Sequence, residues 1–147
     1  MGLDQYAWAV KPVAEANEST EGVLSDFDFD SEKVERLDLA YWRKHANLQG
    51  WMENLYLQKC EELGVEPATD KDGWFAGSVV FNCIPLRLTR HDLANLEEAV
   101  RSEGLPHTTG FFFGESQPED REDDLRFIKK AHKAIDEGYT IYYYCWW

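Results

Sequence analysis

The consecutive residues Tyr41-Trp42-Arg43-Lys44-His45 set an indole, a guanidinium, an ammonium and an imidazole side by side. If the following helix begins near Arg43, three potentially cationic side chains crowd its positive end, each disfavoured by roughly 0.3–1 kcal/mol, while Glu61 and Glu62 crowd its negative end. Departures from a local preference tend to mark functional positions. Free backbone N–H groups beside Arg43 and Lys44 would receive a phosphate or carboxylate, and Trp42 could stack on a ring carried by that anion. The opposing arrangement is one continuous helix from about Glu32, with Val34, Leu37, Tyr41, Leu48, Met52 and Leu55 on one stripe and Arg43 and Lys44 as ordinary mid-helix residues. Leu37, Leu39 and Tyr41 alternate with Arg36, Asp38 and Ala40, which favours a strand and a break near Trp42.

Asp26-Phe27-Asp28-Phe29-Asp30 places three carboxylates on alternate positions. As a calcium loop it fails, because Ser31 and Leu37 stand where an EF-hand requires Gly and Glu. In an extended conformation both phenylalanines would face the protein, and Asp26, Asp28 and Asp30, continued by Glu32, would face water or a basic partner. The histidines His45, His91, His107 and His132 lack metal-ligand spacing, and Cys60, Cys83 and Cys145 form no paired framework. His107-Thr108-Thr109-Gly110 sets a base near a hydroxyl with no third group to orient it. No catalytic residue, metal ligand or cofactor is assigned.

Leu3 to Val10 alternate, with Tyr6, Trp8 and Val10 on one side, and predict a strand ended by Lys11-Pro12. Residues 13–32 are polar and acidic and are expected to be mobile or partner-facing. Leu48, Trp51, Met52, Leu55 and Cys60 recur at helical spacing, and Gly64 is placed to end that helix in a left-handed conformation. Ser78 to Leu88 reads as a strand confined to an edge or bulge by Pro85. Thr89 caps a helix bearing Leu93, Leu96 and Val100, stopped by Gly104. Gly110 to Gly114 suggests a short strand, Pro118 opens a third helix ended by Gly138, and Tyr139 to Trp147 forms a last strand. Its aromatic residues load both faces, so either both are covered or one meets another chain. The expected order is β, α, β, α, β, α, β: a single α+β domain with a small, mainly antiparallel sheet of about four strands covered by about three helices.

At 147 residues the chain has the length of one domain, and its apolar runs are far too short to span a membrane. The opening residues resemble neither a secretory nor an organellar signal. A net charge of −13 disfavours direct binding to nucleic acid or an anionic membrane and favours basic partners. Residues 1–40 alone carry ten carboxylates against three basic side chains, a local charge of −7.

The chain resembles a family of small uncharacterised proteins encoded by bacteriophages and prophages. The points of similarity are Met1-Gly2-Leu3-Asp4-Gln5-Tyr6, Tyr41-Trp42-Arg43-Lys44 followed by Asn47 and Trp51, Gly110-Phe111-Phe112-Phe113-Gly114, and the Tyr- and Trp-rich end. Gln49 stands where family members commonly have His, and Asn47 is shifted by one place, which weakens any catalytic or metal role for that helix. The resemblance implies a viral protein in the host cytoplasm that binds a host component. The leading expectation is therefore a noncatalytic accessory protein presenting acidic residues to a basic host protein or complex. A second expectation is a nucleotide-like anion site, or small enzyme, with Arg43 and Lys44 on the phosphate, Trp42 or a ring of Phe111, Phe112 or Phe113 on the base, and Asn47 beside them. A third is a homo-oligomer joined through the C-terminal aromatic residues.

Overall fold

The computed structural model describes residues 2–12, 34–67, 81–108 and 114–147. Asp26, Asp28, Asp30, Glu32, Phe111, Phe112 and Phe113 lie outside them, as do the whole acidic segment 13–32 and all but Gly114 of the strand expected at Gly110 to Gly114.

Strand β1 (Asp4–Pro12) is flanked by β2 (Val34–Arg43) and β4 (Thr140–Trp146), and β3 (Leu86–Leu88) adds to the far side of β4. The order is β2-β1-β4-β3 and every pairing is antiparallel. Asp4 pairs with Arg43 on one side and Trp146 on the other. The register slips between Ala7 and Trp8, which pair with Ala40 and Asp38, so Leu39 is an extra residue in β2. Among the described residues three helices complete the α+β fold: α1 (Ala46–Leu63), α2 (Arg90–Arg101) and α3 (Asp120–Asp136).

The alternation of Leu37, Leu39 and Tyr41 is a strand, as expected, and the chain breaks before α1. The described order is therefore β, β, α, β, α, α, β, which corrects the alternating order: residues 34–43 pair along the whole of β1 and precede the first described helix. Only Leu86–Leu88 of the strand expected over Ser78 to Leu88 is formed among the described residues, and it begins directly after Pro85 at the sheet edge. Proline has no N–H to give a ladder, which explains both the start and the edge position.

Gln5, Ala7 and Ala9 of β1, with Leu3 just before it, are buried on one face with Trp42, Ile141, Tyr143 and Cys145. Helix α3 lies across β2, β1 and β4, and its stripe Phe127, Ile128 and Ala131 joins this core. Trp42 meets Phe127 edge to face at 5.2 Å. The opposite face carries Tyr6, Trp8 and Tyr144, with Trp8 stacked on Tyr144 at 5.1 Å and the Arg36 guanidinium over Trp8. Tyr41 and Trp146 are exposed there. Among the described residues no helix is long and apolar enough to cross a membrane.

Candidate functional site

The site forms where β2 turns into α1. Strand alternation sends Trp42 to the inner face and Arg43 to the outer one. Lys44 then adopts φ +60°, a left-handed conformation uncommon for a residue with a Cβ, and its N–H donates to the Leu3 carbonyl at 2.8 Å. The turn leaves His45 at the head of α1. His45 does not cap its own helix; its ring turns toward α3 instead.

Gln5 fixes the His45 backbone from β1. Its Oε1 accepts from the His45 N–H at 2.9 Å, and its Nε2 donates to the His45 carbonyl at 3.0 Å and to the Tyr143 hydroxyl at 2.8 Å. Tyr143 in turn donates to Gln49 Oε1 at 2.6 Å, and Gln49 Nε2 donates to the Phe81 carbonyl. Gln5, Tyr143 and Gln49 are all buried, so leaving any one of these groups unpaired would cost about 1–3 kcal/mol. Burial pushes the Tyr143 hydroxyl well above its ordinary range. It remains a neutral link that accepts from one amide and donates to the other.

The His45 ring is held at both nitrogens. Nε2 lies 2.8 Å from Asp124 Oδ2 and Nδ1 lies 2.7 Å from Ser116 Oγ. Asp120 Oδ2 is 3.6 Å from the same Nδ1. Ser116 Oγ also accepts the Asn47 N–H at 2.9 Å, so a residue of a distant loop caps α1 in place of His45. With Asp124 ionised, Nε2–H donates to it, and the Ser116 hydroxyl donates its proton to Nδ1. His45 and Asp124 are buried, whereas Ser116 is only partly so.

Burial raises the Asp124 carboxyl above its ordinary value of 3.8; the hydrogen bond and charge of His45 act in the opposite direction, and the Asp120 carboxylate adds to the rise. The Trp42 indole N–H is directed at Asp124 closely enough to favour its ionised form, without closing a hydrogen bond of ordinary geometry to the buried Oδ1.

A cleft of about 300 Å³ opens over this cluster, with His45, Asn47, Leu105, Ser116, Asp120 and Asp124 in its lining. Glu103 and Arg121 also line it, and the Arg121 guanidinium donates to the Arg101 carbonyl. Asn47 Oδ1 accepts from the Thr108 N–H at 3.0 Å, tying the 105–108 segment to α1. Among the described residues, no three His, Cys, Asp or Glu side chains are arranged to hold a metal ion.

Of the residues expected to bind an anion, Asn47 lines this cleft and Trp42, Arg43 and Lys44 do not. Trp42 is 3% exposed and packed on Phe127, so it presents no face for stacking. Arg43 is exposed on the outer side, 3.8 Å from Asp4. The exposed Lys44 lies with its stem against Gly114, where an added Cβ would fall 2.9 Å from it. The described carboxylates of the first forty residues are also engaged: Asp4 with Tyr41 and Arg43, Glu35 with Tyr139, and Asp38 with Arg36.

Sequence reasoning singled out His45 but not Gln5, Ser116, Asp120 or Asp124. One signal was present: Asp124 precedes Phe127, Ile128 and Ala131 at helical spacing, which puts a carboxylate on the buried stripe of α3. Comparison of the chain with models of protein families, with curated proteins and with solved structures found no match to any of the three.

Proposed function

We propose that the protein acts by binding a basic partner through the acidic face around the His45 cleft, in keeping with the host-directed role that the phage resemblance implies. The supporting observation is charge left uncompensated. Glu103, Glu115, Glu119 and Glu122 form no ion pair with another described residue, and all four are exposed. They stand in or beside the loops and helix start that form the cleft, above Asp120 and Asp124. A Lys or Arg side chain entering there would meet carboxylates at the rim and floor. The first-third carboxylates that the structure describes already hold partners inside the molecule, so they contribute less to this face.

Such a contact owes its rate and selectivity to electrostatic complementarity. A fluorescent lysine-rich peptide is therefore expected to bind the protein and to be released between about 0.01 M and about 1 M salt, as the screening length falls from about 30 Å to about 3 Å. Glu103→Gln, Glu119→Gln and Glu122→Gln should each weaken binding roughly 1.5- to 5-fold, the range of an exposed ion pair of about 0.2–1 kcal/mol. Anisotropy titrations that show no binding at low salt, or binding indifferent to all three substitutions, would overturn the proposal.

A further inference from the structure

The capping of α1 by Ser116 explains one of the two hydrogen bonds at that hydroxyl. The other is unnecessary for a cap. Ser116 Oγ accepts from Asn47 and directs its proton to His45 Nδ1, while His45 Nε2 is anchored on a buried carboxylate. A hydroxyl on an imidazole that is oriented by a third group is the arrangement that activates a weak nucleophile. Here the ring nitrogens are exchanged relative to the usual serine triad, with Nδ1 toward the hydroxyl and Nε2 toward the acid; either nitrogen can accept the proton.

Three further features favour chemistry at this oxygen. Ser116 is the partly exposed member of the three and lines the cleft, whereas the base and the acid behind it are hidden from water. The Asn47 N–H belongs to the first turn of α1, so the positive end of a helix of 18 residues faces Ser116 Oγ and favours the alkoxide character it gains as its proton passes to His45. Finally, the base is held at two levels: its backbone is clamped on both sides by the Gln5 amide and its ring is anchored by Asp124 Oδ2.

We infer that Ser116 is an acyl-accepting nucleophile, with His45 as its general base and Asp124 as the residue that positions His45, acting on short carboxylic esters. In the first step Ser116 Oγ bonds to the carbonyl carbon of the ester and His45 Nδ1 takes the hydroxyl proton. The bond from carbon to the leaving oxygen then breaks, and the same Nδ1–H protonates the departing alkoxide. Water, losing a proton to Nδ1, attacks the acyl-serine, and that proton returns to Ser116 Oγ as the carboxylic acid leaves. The carboxylates lining and flanking the cleft favour esters that carry a cationic group; this preference rests on the acidic-face reading, whereas the nucleophilicity of Ser116 does not.

A biotinylated fluorophosphonate is the direct probe, because it marks a serine whose hydroxyl is activated. The native protein should become labelled, peptide mapping should place the adduct on Ser116, and Ser116→Ala should abolish it. Asp124→Asn should slow labelling at least tenfold while near-ultraviolet circular dichroism remains that of the native fold, a loss that a purely structural Asp124 would not produce. Hydrolysis of 3-(trimethylammonio)phenyl acetate should exceed that of neutral phenyl acetate, and the difference should vanish at high salt. An unlabelled native protein, or an adduct mapped to another residue, overturns the assignment without touching peptide binding. Labelling at Ser116 with equal hydrolysis of the two esters upholds the nucleophile and overturns the cation preference.

Discussion

Asp124 is a carboxylate on the apolar stripe of a helix, where burial works against its charge. Its raised carboxyl means that the native protein takes up this proton at a higher pH than the unfolded chain, whose carboxyl titrates near 3.8. Between those two values the native state holds more protons, so the stability from this group falls as pH rises through the interval. Asp124→Asn removes the titration and retains a polar group facing His45. The stability of the native protein relative to that variant is predicted to decline as pH is raised above 3.8, measured by urea unfolding at a series of pH values. Parallel curves for the two proteins would contradict this origin. Burying a carboxylate works against its charge, so Asp124 is better explained by the ring orientation it imposes on His45 than by stability.

The 105–108 segment packs closely against helix α1 beside the cleft. A Cβ added at Gly50 would fall 1.9 Å from Thr108 Oγ1 and 2.9 Å from Thr108 Cβ, so one of the two segments would have to shift. Gly50→Ala is predicted to destabilise the fold by about 1–3 kcal/mol, and Thr108→Gly in the same chain should recover most of the loss; thermal unfolding of the single and double variants checks both. Such elements were legible in the sequence wherever the cause is local. Gly64 ends α1 at φ +68°, and Thr89 with Asp92 closes a capping box at α2, because these signals lie within a few residues of the structure they make. Strand β2 was half legible: its alternation was visible, but its pairing with β1 across a 21-residue connection was not. The cluster at His45 was hidden for the same reason. Its partners Ser116 and Asp124 lie 71 and 79 residues away, and Gln5 lies 40 residues before it; no periodicity links residues so far apart.

The first and last strands are neighbours at the centre of the sheet, and the polar chain from Gln5 through Tyr143 to Gln49 runs from that centre to the head of α1. The cleft thus lies beside a helix head that is tied to the sheet centre, with its acidic rim supplied by Glu103, by the segment before α3 and by the first turn of that helix. A net charge of −13 was plain from composition; where it is left unpaired was not, because pairs such as Arg43–Asp4, Lys59–Asp92 and Arg90–Asp136 join residues far apart in the chain. The region around His45 is the proposed receiving surface for a basic partner. The most direct test is to titrate the isotopically labelled protein with a lysine-rich peptide at low salt and follow every backbone amide by nuclear magnetic resonance. The largest shifts are predicted at Asn47, Glu103, Ser116 and Asp120, and shifts confined to the aromatic face of Tyr6, Trp8 and Tyr41 would contradict it.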